Sequence, residues 1–166
     1  LNAAGDYAVI GAYNDTEKGA FAGAVFIYKK IGSTWTYQSK MISPVGETNT
    51  YYGIAAAMNQ SGSILAVGAH GSDSSGVYKG AVYLYDRNGE VWNYREKILP
   101  PNLSMDAEFG SGLAFNKEGT LLLVGSKATQ TRGVKAGAVY IYRKEGSSWS
   151  MKDALYISNS RTLDEF

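Results

Sequence analysis

Cysteine is absent from this 166-residue chain, and histidine occurs once. The first absence excludes a disulfide scaffold, a thiol nucleophile and a Cys-ligated zinc site, and the second excludes a His-rich metal site. Neither sign of charge dominates. Lys and Arg number 16 against 15 Asp and Glu, a formal net charge of +1. That balance argues against a nucleic-acid partner held by charge and against a polybasic membrane-surface segment. No apolar run approaches the roughly 20 residues of a membrane span, so no membrane insertion is expected. No stretch offers a capped amphipathic pattern with the 3.6-residue helical period. The start, Leu1 to Asp6, carries neither an initiator Met nor a signal-peptide pattern. The expectation is a numbering that begins inside a processed or longer chain.

What the chain has in quantity is glycine, 20 residues, and tyrosine, 13 residues. Glycines among aromatic and β-branched residues point to short strands joined by tight turns. They also recur. Trp35, Trp92 and Trp149 are spaced 57 apart, and Gly23-Ala24-Val25 returns at the same step as Gly80-Ala81-Val82 and Gly137-Ala138-Val139. Gly11, Gly68 and Gly125 keep the period, as do Asn2, Asn59 and Asn116, and Tyr28, Tyr85 and Tyr142. Five such columns hold 15 of the 20 glycines, so these glycines are architectural. The chain therefore divides into repeats 1–51, 52–108 and 109–166 within one segment.

Each unit predicts four short strands with two tight hairpins and two longer loops, Asn88-Gly89 being a strong hairpin signal. Strands such as Ile64 to Val67 and Leu121 to Val124 are apolar on both faces, which predicts burial on both sides. A unit of about 57 residues alone buries too little to be stable, so its neighbours must cover it. Stacked four-stranded sheets meet that need. The fold class expected is all-β, a β-propeller segment of three four-stranded antiparallel blades. Three blades do not close a ring. The chain is then either part of a longer propeller, which a start in mid-strand favours, or half of a six-bladed ring made by two copies. In the second arrangement Phe166 of one copy meets Leu1 of the other.

The run Phe109-Gly110, an apolar strand, Gly125-Ser126, then Gly137-Ala138-Val139-Tyr140, then Trp149 resembles the FG-GAP repeat. Tyr52-Gly53 fills the Phe-Gly position in the second unit, and Gly11-Ala12 and Gly68-Ala69 fill the Gly-Ala position. The resemblance implies integrin-like propeller blades, an extracellular or cell-surface location, and ligands docking on one loop face. Two departures stand out. Tyr13, His70 and Lys127 replace the proline that the family places after Gly-Ala. The family's calcium loop is also missing: Asn2 to Asp6, Asn59 to Ser63 and Asn116 to Thr120 are too short and offer too few carboxylates for a hard cation. No metal or other cofactor is expected.

Catalytic patterns are weak. His70 with Ser72 and Asp73 superficially suggests a triad, but such close neighbours in a loop rarely converge. The acidic residues form no recurrent pair of the kind a glycosidase needs. The Trp column could stack sugars, yet its strict recurrence favours packing. The informative positions are the variable loops, 13–22, 70–79 and 127–136 between the second and third strands, and 43–51, 100–108 and 158–165 between units. By strand direction they share one face, and function on a scaffold concentrates in such loops. The candidate ligand contacts are Tyr13, Asp15, Phe21, His70, Asp73, Tyr78, Lys127 and Arg132. The function expected is non-catalytic recognition or adhesion of a protein or glycan ligand, alongside further blades or a second copy. A propeller hydrolase or lyase and a structural spacer are the alternatives.

Overall fold

The computed structural model describes residues 1–45, 48–71, 79–101, 107–128 and 137–156. It contains three antiparallel sheets and, among the described residues, no helix. The first sheet holds β1 (Tyr7–Ala12), β2 (Ala24–Ile31) and β3 (Thr34–Ile42) in that order. The second holds β4 (Tyr52–Met58), β5 (Ile64–Ala69), β6 (Ala81–Asn88) and β7 (Val91–Ile98). The third holds β8 (Phe109–Phe115), β9 (Leu121–Ser126), β10 (Ala138–Glu145) and β11 (Ser148–Leu155). Each sheet is a meander of sequential neighbours, and the arrangement is propeller-like.

The repeat is visible in backbone detail. Gly32, Gly89 and Gly146 sit at φ of 62°, 63° and 60° in two-residue hairpins. The register shifts at Ile27/Tyr28, Leu84/Tyr85 and Ile141/Tyr142, a bulge at the recurrent tyrosine of every sheet. The asparagine turns are alike too. The side-chain oxygen of Asn2 accepts from the backbone of Asp6 and Tyr7, at 3.1 and 3.0 Å. Asn59 does the same for Ser63 and Ile64, and Asn116 for Thr120 and Leu121. Asparagine thus closes these loops by hydrogen bonding to its own backbone. Among the described residues, no group of three or more His, Cys, Asp or Glu could hold a metal ion.

The sheets stack face to face over two cores. Val25, Ile27, Tyr52, Leu65, Val67 and Tyr85 meet between the first and second sheets. Ala66, Leu84, Phe109, Leu122, Val124 and Tyr142 meet between the second and third. The middle sheet is covered on both faces, and every residue of β5 is buried. Here the expectation of burial on both sides holds. It does not hold for β9, which alternates between half-buried and buried residues because, among the described residues, no sheet lies against one of its faces. The first sheet also has three strands, not four, and β1 pairs with β2 alone among the described residues.

The tryptophan column follows the same logic. Trp149 is 7% exposed and packs on Phe115, with ring centroids 5.7 Å apart. Trp92 is half-buried against the core of the first two sheets. Trp35, which no sheet covers among the described residues, is 40% exposed. Burial of this column tracks the presence of a neighbouring sheet, as the packing reading requires.

Candidate functional site

The loops that leave β1, β5 and β9 lie beside the loops that connect the sheets, and the backbone ties the two sets together. Tyr51 N–H donates to the Phe21 carbonyl at 2.9 Å, and Gly71 N–H donates to the Thr50 carbonyl at 3.1 Å. Ala128 N–H donates to the Ala107 carbonyl at 3.2 Å, the same bond one period later. The buried hydroxyls of Thr50 and Ser126 donate to the Ala22 and Ala107 carbonyls, each at 2.7 Å. The loop face is therefore wired between sheets.

A continuous row of side chains crosses this face. Phe21 stacks on Tyr51, with centroids 5.7 Å apart and planes 27° apart. Tyr51 and the His70 ring form a T-shaped pair, with centroids 5.0 Å apart and planes at 87°. His70 Nδ1 lies 3.2 Å from Glu108 Oε2, and Lys127 Nζ lies 2.8 Å from the same oxygen. The row thus runs from the first sheet's loop, through both connections, to the loop of the third. Burial pushes the His70 imidazole below its ordinary value of 6.5, outweighing the opposite pull of Glu108. The lowered value favours the uncharged ring, and in that form it is a proton on Nδ1 that would donate to the Glu108 carboxylate.

Position fixes the backbone here and leaves the side chain free. Tyr51 and Glu108 are equivalent, and both adopt left-handed φ, 52° and 54°. Each carbonyl accepts a turn bond three residues on, from Ile54 at 3.0 Å and from Ser111 at 3.2 Å. Left-handed φ costs a residue with a Cβ about 1–2 kcal/mol, so the turn imposes the conformation. Only the side chain differs, a phenol in one copy and a carboxylate in the next. His70 and Lys127 likewise share one position, and each touches the residue at the preceding turn.

Three of the sequence-predicted contacts, Phe21, His70 and Lys127, fall in this row. Tyr13 is 42% exposed and occupies the His70 position of the first unit, outside the row. Asp15 is engaged internally: its carboxylate takes Lys40 Nζ at 2.7 Å and Glu17 N–H at 3.0 Å. The hydrogen bond from Lys40 holds its carboxyl below the usual range. Lys40 also reaches Glu17 at 2.6 Å. Asp73, Tyr78 and Arg132 lie outside the described residues. Sequence reasoning missed Tyr51 and Glu108. The signal available was the column itself, which changes from Tyr to Glu immediately before the recurrent aromatic-Gly pair.

No curated protein matches this chain. No described helix is long and apolar enough to cross a membrane. Residues 35–85, from β3 to Tyr85 of β6, match the family model of the FG-GAP repeat, the family whose pattern all three units resemble.

Proposed function

We propose that this chain is part of a non-catalytic recognition module, working outside the cell or at its surface, that binds a protein or glycan through its loop face. The observation that carries this reading is the row Phe21–Tyr51–His70–Glu108–Lys127. Its backbone repeats between Tyr51 and Glu108 and between the bonds beside His70 and Lys127, while its chemistry passes from aromatic to imidazole, carboxylate and ammonium. A rigid rim with side chains that differ between copies is what a scaffold needs to build one specific surface from repeated parts. The aromatic end offers low-entropy contact area, and the polar end offers donors and an acceptor. The FG-GAP match supports the same class.

The test is a binding screen of the immobilised chain against a glycan array and solubilised cell-surface proteins. Retained probes are then re-measured with Tyr51→Ala and Lys127→Ala, and with Lys117→Ala on the opposite, asparagine-turn face as control. Binding lost in the first two and kept in the control supports the proposal. No retained probe, or loss only in the control, overturns it.

A further inference from the structure

We infer that Asn14 is the acceptor of an N-linked glycan, an inference that rests on the reading of this chain as working outside the cell. Three Asn-x-Ser/Thr sequons occur, at Asn14-Asp15-Thr16, Asn59-Gln60-Ser61 and Asn102-Leu103-Ser104. Such a triplet takes a glycan on the asparagine amide in a secreted protein, and it must lie at the surface to carry one. The third sequon lies outside the described residues, and the structure separates the other two. The Asn14 sequon faces outward. It follows β1 in a turn closed by Asp15 N–H donating to the Ala12 carbonyl at 2.9 Å, which puts Tyr13 and Asn14 at the two central positions. Asn14 and Thr16 are exposed, while Asp15 between them is half-buried. The Asp15 carboxylate is held by Lys40 Nζ at 2.7 Å, and its carbonyl accepts from Gly23 N–H at 2.9 Å. The middle residue is therefore the anchor, and the acceptor amide and the threonine hydroxyl flank it on the solvent side.

Asn59 is the opposite case. It is 4% exposed. Its Nδ2 donates to Ser61 Oγ and Ser63 Oγ at 3.2 and 3.1 Å, and its Oδ1 accepts from the backbone of Ser63 and Ile64. Gly119 of the next turn packs so closely on it that a Cβ there would lie 2.8 Å from Nδ2. A sugar on that nitrogen has no room and breaks the turn. The two triplets are alike in sequence, so it is the fold that assigns the glycan to Asn14. The co-reactant is a lipid-linked oligosaccharide diphosphate. The Asn14 amide nitrogen forms a C–N bond to the anomeric carbon, and the C–O bond to the diphosphate breaks. The lipid diphosphate leaves with the electron pair, and one amide proton passes to a base of the transferring enzyme. The glycan then stands on the loop that leaves β1, on the same face as the row from Phe21 to Lys127.

The experiment fuses a cleavable secretion leader to the chain and collects the folded fraction from the medium of cultured eukaryotic cells. Entry to the pathway then does not depend on where the chain normally works. Peptide-N-glycosidase F in heavy-oxygen water turns each glycosylated asparagine into labelled aspartate, and mass spectrometry maps the label. Label is expected at Asn14 and absent at Asn59. Thr16→Ala should lose the glycan, and Thr16→Ser, which keeps the sequon, should retain it. A folded, secreted chain without label at Asn14 overturns the inference, as does label at Asn59 or a glycan on Asn14 that survives Thr16→Ala. Ligand retention is scored separately on the unglycosylated Thr16→Ala chain, so that the recognition reading and the glycan assignment fail independently.

Discussion

Gly68 of β5 lies against Gly110 of β8, so that a Cβ on Gly68 would come far closer than 3.0 Å to the Gly110 carbonyl oxygen. The same relation joins Gly11 to Gly53 one period earlier. The obstacle is backbone on both sides and has no flexible end to move. Gly68→Ala is therefore expected to force the second and third sheets apart, at a cost of about 3 kcal/mol or more. Gly89→Ala, at φ 63° with nothing within 4 Å, is the control. It pays only the left-handed backbone term, about 1–2 kcal/mol. Urea denaturation separates the two, and equal losses would refute the close-approach explanation.

The hydroxyls of Tyr52 and Tyr85 are hydrogen-bonded at 2.8 Å inside the first core. Burial pushes both phenols well above their ordinary value of 10.0. The unfolded chain therefore ionises first. Stability from this pair is complete below pH 10.0 and is lost as pH rises beyond it. The third sheet carries Phe109 where the second has Tyr52, so the site accepts phenylalanine by shape. Tyr52→Phe is expected to cost about 1 kcal/mol at neutral pH. It should also flatten the fall in melting temperature from about pH 9 to about pH 11. An unchanged alkaline slope would count against this role.

The period was legible in the sequence because the junctions tolerate only glycine. Gly11, Gly68 and Gly125 mark one position in every unit, and at the first two the facing backbone leaves no room for a side chain. What the columns could not show is which faces are covered. Trp35 and Trp149 are one residue type at one repeat position, yet one is exposed and the other buried, because among the described residues a preceding sheet covers only the second. The same cause makes β9 half-covered although its sequence is as apolar as that of β5. At the candidate site, His70 and Lys127 stood out as bulky residues in place of an expected proline. Tyr51 and Glu108 were hidden because the residue before the aromatic-Gly pair reads as a backbone turn. The internal engagement of Asp15 was not legible because Lys40, its ion-pair partner, comes from a strand 25 residues away.

Glu96 on β7 is half-buried where the second sheet meets the third, and burial raises its carboxyl above the ordinary 4.5. A hydrogen bond with the Trp149 backbone and the charge of Arg95 offset only part of that rise. A raised acid favours the protonated form in the fold. Stability from this group is therefore present below pH 4.5 and lost as pH climbs through the raised value, so at pH 7 the ionised carboxylate is a cost. Glu96→Gln should raise the melting temperature at neutral pH by roughly 1 °C or more. The gain should vanish in acid. A neutral-pH melting temperature below that of the native chain would refute the assignment.

His70 is the one histidine of the chain, so its ring protons give a single unambiguous titration curve in an NMR spectrum. Burial lowers its pKa, Glu108 pulls it back up, and Lys127 pushes it down. The midpoint is expected below 6.5. Glu108→Gln removes the upward pull and should lower the midpoint further, whereas Lys127→Met should raise it. For stability the sign follows from the unfolded chain binding the proton more readily. The neutral ring's contribution is complete above 6.5 and is lost as pH falls through the lowered value. His70→Gln should therefore flatten the acid limb of the stability curve just below 6.5 and leave the alkaline limb unchanged. A midpoint above neutral pH would mean that His70 is held as a charged ion-pair partner and that the row carries one more positive charge, whereas an upward shift in Glu108→Gln would refute the pull assigned to Glu108.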